Sequence, residues 1–205
     1  MLTLHGTPLS HFTRKVRIVL AELGVPFEPA WTPGLLGVDA DVYAEHPLLR
    51  VPTLVHDDVT LIESDHIARW LVGRYDPGDR LRVRTEDPAD LNRLAVANGI
   101  MANEVTLLLV QRGGFGDLDG VAYFRKLRAA IERGLAWLDA RTDPDEPDFD
   151  YVDVATICVW QHVVHWKMAP QLERYDRIAS RVARFADRPS VATTTPAASL
   201  AAAAR

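Results

Sequence analysis

Every β-like run in this chain falls before residue 63, and every periodic run after about residue 80 has the spacing of a helix. This asymmetry limits the possible folds more than any single motif does. "LTLHG" at 2–6 alternates and ends on a turn residue, which predicts a strand. Val16, Val19, Leu20 and Leu23 follow at helical spacing, predicting a helix over 12–23 that Gly24 and Pro26 stop. A second short strand is expected near 27–30. A strand that follows a helix so directly predicts a βαβ unit with parallel strands. Residues 32–50 read as irregular with one short helix near 39–45. "VPTLVHDDVTLIES" then gives strands at 53–55 and 59–62 around an Asp-Asp turn, close enough to pair as an antiparallel hairpin. A helix over 64–75 ends at Pro77-Gly78.

The remainder predicts helices at 88–111, 121–141, 151–168 and 171–186, separated by "RGGFGDLDG", "RTDPDEPDFD" and Pro170. The expected organisation is an α/β domain at 1–77, a linker at 78–87 and an all-helical domain at 88–205. The tail "TTTPAASLAAAAR" is low in complexity and is expected to be loosely held. A chain of 205 residues buries a sizeable core without staples. Its single cysteine, Cys158, excludes an intrachain disulfide and a cysteine-rich metal site. A net charge of −5 gives no footprint for nucleic acid. The first residues lack the layout of a signal peptide, and no continuous apolar run reaches the roughly 18 residues of a membrane span. A cytoplasmic location with no membrane partner is therefore expected.

Several residues have the chemistry of a site. Ser10 stands before the first helix, where a hydroxyl caps the helix and a helix N-terminus attracts anions. Arg14, Lys15 and Arg17 lie mostly off the apolar face of that helix and are expected to be solvated, with an acid of the other half as an alternative partner for Arg17. Pro52 belongs at the start of a strand, because it lacks an N–H; a cis Val51–Pro52 bond would turn the Val51 backbone toward a ligand. Asp150 and Asp153 have the spacing of a capping box ahead of a helix that is apolar on nearly all sides. His162 and His165 lie three apart with no evident third ligand, and no metal is expected.

The order β-α-β, β-β-α, then helices, together with three motifs, resembles a cytosolic glutathione transferase of the bacterial, serine-type kind. "HPLLRVPTL" resembles that family's Asn-Pro-x-Gly-Lys-Val-Pro-x-Leu stretch. "LIESDHIARWL" resembles its Leu-x-Glu-Ser-x-Ala-Ile-x-x-Tyr-Leu stretch, and "ADRPSVATTTP" its Arg-Pro-Ser-Val ending. The resemblance covers nearly the whole chain and implies a thioredoxin-like N-terminal domain followed by an all-helical one. It implies glutathione as co-substrate, bound by the Val51 backbone held by Pro52, by Glu63 and Ser64 at its γ-glutamyl end, and by Arg50 at its glycyl carboxylate. It implies that Ser10 stabilises the glutathione thiolate. It also implies a hydrophobic electrophile near His11, Phe12, Met101, Leu108 and Phe115, and a homodimer.

The departures from the family pattern are informative. His11 follows Ser10 where the serine-type isomerase branch has a second serine. No cysteine lies near Ser10, which excludes thiol–disulfide exchange and cysteine-based lyase chemistry there. The expected activity is conjugation of glutathione. The rivals are a glutathione-dependent isomerase or dehalogenase, and a non-catalytic binding or dimerisation module of the same fold.

Overall fold

The structure is a computed structural model and describes residues 1–203. The chain forms two compact units, Met1–Arg84 together with Asp187–Arg205, and Thr85–Ala186.

The first unit is built on a four-stranded sheet. β1 (Leu2–Gly6), α1 (His11–Glu22) and β2 (Glu28–Trp31) form the expected βαβ unit with parallel strands. Gly24 ends α1 at φ +64, the left-handed conformation that suits glycine at a helix C-terminus, and Val25 N–H returns to Leu20 O at 2.9 Å. A 3₁₀ turn at Asp41–Tyr43 is the only helical piece described between β2 and β3. β3 (Thr53–His56) and β4 (Val59–Ile62) pair antiparallel, and α2 spans Ser64–Tyr75. The strand order is β2-β1-β3-β4, with β1 antiparallel to β3. This is the expected thioredoxin-like arrangement.

Its α1 differs from the sequence reading. Val16, Ile18, Val19 and Leu20 are buried, but so are Arg14 and Lys15. Arg14 donates from Nε to Thr194 Oγ1 (3.1 Å) and from Nη2 to Val191 O (3.2 Å). Lys15 Nζ, fully buried, pairs with Asp65 on α2. Arg17 donates to Pro8 O (3.3 Å) and Ser199 Oγ (3.1 Å), and its guanidinium lies 5.7 Å from the Trp31 ring centroid. The expectation of a solvated cationic face is corrected, because other elements of the unit cover α1 on the sides the apolar pattern leaves polar. Two of those elements are α7 (Pro189–Ala192) and α8 (Pro196–Ala203), which lie in the tail. Ser190, Val191, Thr194 and Ser199 are buried, so the tail is not loosely held, and it packs with the N-terminal unit.

The second unit is all helical: α3 (Pro88–Arg112), α4 (Ala122–Asp139), α5 (Tyr151–Trp166) and α6 (Asp176–Arg184). α3 is long and apolar enough on average to cross a membrane, although Asn98, Asn103 and Glu104 interrupt its apolar run. It packs against α4 and α5 through one face, with about a third of its apolar stretch buried. α5 starts at the expected capping box, Asp153 N–H to Asp150 Oδ1 (3.0 Å) and Asp150 N–H to Asp153 Oδ2 (3.1 Å). Arg181 of α6 grips the same Asp153 with two 2.7 Å bonds. The helix expected over 171–186 is split into a 3₁₀ turn at Leu172–Arg174 and α6. Between them buried Tyr175 takes a non-helical φ of −110° and ψ of 58°, with its ring 6.1 Å from that of Trp160. Tertiary anchoring of this side chain overrides the local helical pattern.

Candidate functional site

Strand register brings four separate segments to one end of the sheet. His5 pairs with Thr53, and Thr53 pairs with Ile62. The end of β1, the start of β3 and the end of β4 therefore lie side by side. The chain beyond β1 leads to Ser10, the chain before β3 holds Arg50, Val51 and Pro52, and the chain after β4 is Glu63 and Ser64. Gly6 lets α1 close onto this end, since a Cβ there would stand 2.5 Å from Thr13 Cγ2. Thr32 fixes the same turn from the side, with its N–H (2.8 Å) and hydroxyl (3.0 Å) both donating to Gly6 O.

Ser10 is the N-cap of α1. Its backbone is extended, and its Oγ accepts from Thr13 N–H at 3.2 Å. Thr7 secures it in turn, accepting Ser10 N–H at Oγ1 (3.1 Å) and at its carbonyl (3.2 Å). The Ser10 hydroxyl, half-buried, retains its own O–H to donate. This donor sits at the positive end of a twelve-residue helix, a setting that stabilises an anion.

The Val51–Pro52 bond is cis. The β1–β3 ladder ends at Thr53, so the half-buried Val51 contributes nothing to it, and its backbone can pair with an added peptide. Thr53 Oγ1 donates to Tyr43 O (3.1 Å) and ties this entry to the 3₁₀ turn. Glu63 is exposed and sits at φ +69, a conformation that is costly for a side-chain-bearing residue. Ser64 is buried at the first position of α2, among its free N–H groups. Arg50 is exposed. Arg50 and Glu63 both act electrostatically on His46, so the two candidate charges share one neighbourhood.

The residues expected to hold a second substrate fall in both units. His11 and Phe12 open α1 in the first, with His11 buried and Phe12 half-buried. Met101, fully buried, and Leu108, half-buried, lie on α3 in the second. Phe115 lies beyond α3, exposed, with its ring edge-on to Phe124 at 5.6 Å. Buried His162 has Nδ1 3.0 Å from Glu104 Oε1 on α3, a partner that a search at local spacing does not find. Sequence reasoning also missed Thr7, the Lys15–Asp65 pair and buried His46. Only His46 had a signal, its place in "HPLLRVPTL".

Residues 4–79 match the family model described as "Glutathione S-transferase, N-terminal domain". A glutathione S-transferase-like protein of Aspergillus fumigatus, tpcF, is 28% identical over 208 residues, covering 86% of this chain and 87% of its own. A glutathione S-transferase of Methylobacterium radiotolerans, solved in complex with glutathione sulfonate, superposes with a TM-score of 0.78. It is 26% identical, and the match covers 95% of this chain and 94% of that one. A family member from Pseudomonas fluorescens Pf-5, solved with bound glutathione, gives a TM-score of 0.79 at 25% identity, over 96% and 99% of the two chains. Residues 4–79 thus match a glutathione S-transferase N-terminal domain, and nearly the whole chain shares the fold of solved glutathione S-transferases.

Proposed function

We propose that this protein is a glutathione transferase that joins the glutathione thiolate to a hydrophobic electrophile, acting as a cytoplasmic homodimer. The observation that carries the reading is the strand register, which gathers Ser10, Val51, Glu63 and Ser64 at one end of one sheet. The solved relatives with glutathione or glutathione sulfonate bound support it. The Val51 N–H and C=O pair with the cysteinyl backbone of the tripeptide, as a one-residue strand addition. The free N–H groups and hydroxyl at Ser64 hold the γ-glutamyl carboxylate, and the Glu63 carboxylate holds its ammonium. Arg50 reaches the glycyl carboxylate.

A free thiol has a pKa near 8.5. The Ser10 O–H donates to the sulfur and, with the helix end, favours the thiolate over the thiol. The sulfur lone pair then forms a C–S bond to the electrophilic carbon. The displaced pair leaves with a leaving group or, in an addition, takes up a proton. Ser10 forms no covalent bond.

The test is calorimetric titration with reduced glutathione, followed by thiolate absorbance of the bound ligand against pH. A panel of aryl halides, epoxides and unsaturated carbonyls then identifies the product. Binding, a depressed thiol pKa and a glutathione conjugate support the reading. Halide release or an isomerised product without a conjugate points to the dehalogenase or isomerase. Absence of binding up to millimolar glutathione overturns the reading and leaves a binding module of the same fold.

A further inference from the structure

The turn that leads into Val51 is tied by the side chain of His46. His46 N–H donates to Tyr43 O (3.2 Å), and His46 O accepts Leu49 N–H (2.9 Å). Its imidazole Nδ1 accepts Leu48 N–H at 3.0 Å, and the residue is only 2% exposed. An amide N–H can only donate, so Nδ1 is the unprotonated nitrogen and the neutral ring carries its proton on Nε2. A side-chain acceptor bonded to the backbone N–H two residues on is the turn usually built by Asn or Asp. Asn is the residue at this place in the family stretch that "HPLLRVPTL" resembles. Here the same acceptor comes from a group that titrates. The turn needs the tie, because Leu49 sits at φ +50, in the left-handed region. Arg50 and Val51 follow directly.

We propose that His46 is a positioning residue for glutathione: its neutral Nδ1 locks the 46–49 turn that presents Arg50 and Val51, and a proton on that nitrogen unlocks it. The inference rests on the glutathione reading above. A proton on Nδ1 would set two donors face to face and break the bond to Leu48. Burial pushes the imidazole pKa below its ordinary value, and Arg50 pushes the same way. Glu63 and a backbone hydrogen bond oppose them. The sign is therefore fixed: the folded turn favours the neutral ring. Its contribution is complete above the ordinary histidine pKa of about 6.5 and is lost as pH falls through the depressed value.

Two readouts test this on the full chain: the Leu48 amide by NMR without ligand, and calorimetric titration with reduced glutathione, each from pH 7.0 to 5.0. The ligand's own carboxylates, amine and thiol titrate mainly outside that window. Wild-type affinity is expected to fall toward the acid end of the range, steepening toward about tenfold per pH unit once the pH lies below the depressed His46 pKa, because the protonated form is excluded. The Leu48 amide should shift over the same range. His46→Asn, which restores the acceptor without the titration, should bind within about threefold of wild type at pH 7.0 and keep a nearly flat profile. His46→Leu should bind more weakly at both ends of the range. An acid fall in His46→Asn equal to that of wild type overturns the proposal, as does wild-type affinity in His46→Leu at pH 7.0. Both outcomes leave wild-type binding at pH 7.0 intact, which separates them from failure of the glutathione reading. If wild type binds no glutathione at pH 7.0, the reading fails and the role of His46 with it, whatever the Leu48 amide does.

Discussion

Ser10 accepts a hydrogen bond from the Thr13 amide and keeps its own proton to give away. The cap and the proposed thiolate contact therefore do not compete, and two substitutions separate them. Ser10→Ala removes both and should cost about 1 kcal/mol of stability by urea unfolding while raising the thiol pKa of bound glutathione. Ser10→Thr retains an oxygen and an O–H and should leave both readings near wild type. A stability loss in Ser10→Ala with an unchanged thiol titration would make Ser10 a cap alone. At this scale the sequence was readable wherever chemistry is local. A serine before an apolar-periodic run, or Asp150 three residues before Asp153, has its partner within one turn. The burial of Arg14 and Lys15 is not legible locally, because their partners, Thr194 and Asp65, are far along the chain. A burial forecast from the α1 pattern alone treats every polar side as wet.

Among elements, α1 is the most demanding, with polar ties on the sides its apolar stripe leaves open. Lys15 is fully buried, whereas the Asp65 side chain is 36% exposed. Asp65→Ala thus takes a carboxylate from a buried ammonium and should cost about 3 kcal/mol, whereas Lys15→Met/Asp65→Ala should recover at least about 1 kcal/mol of it. A loss in the double variant equal to the sum of the losses in Lys15→Met and Asp65→Ala alone, by chemical unfolding, would show that the pair is not coupled. At the other end of α1, Glu22 joins α7. Burial alone would raise its carboxyl pKa, but hydrogen bonds from Arg188 and Ser190 and the charges of Arg188 and Arg80 outweigh that and depress it. A depressed carboxyl contributes stability that is complete above its unfolded pKa and is lost as pH falls through the folded value. Tm should therefore fall with acid below the ordinary glutamate range, and Glu22→Gln should fall less steeply over the same pH steps. The strands and most helices were legible because their periodicity is set by one buried face. The break at Tyr175 was not, because a distant contact sets it.

The whole molecule is two units whose chain order is not their packing order. The βαβ–ββα core and the helices after it were readable from the change of period near residue 80. The return of the tail to the first unit was not. Its alanine-rich composition offers few large apolar side chains, yet Val191, Thr194 and Ser199 are buried, and the Val191 carbonyl and the Thr194 and Ser199 hydroxyls accept from the α1 arginines. Deleting the chain from Asp187 onward should lower the thermal midpoint by roughly 5–10 °C, the scale of losing one buried aliphatic side chain and several hydrogen bonds. An unchanged midpoint in the deleted protein would mean the tail merely rests on the surface. The same closure governs synthesis. The first 84 residues leave the ribosome well before the segment that covers Arg14 and Arg17 has been made, and at about 5–20 residues per second the delay is on the order of ten seconds. During that interval the nascent sheet and its first helix hold these arginines without their final acceptors. The unit at the front of the chain is thus completed only after the last helices have been translated.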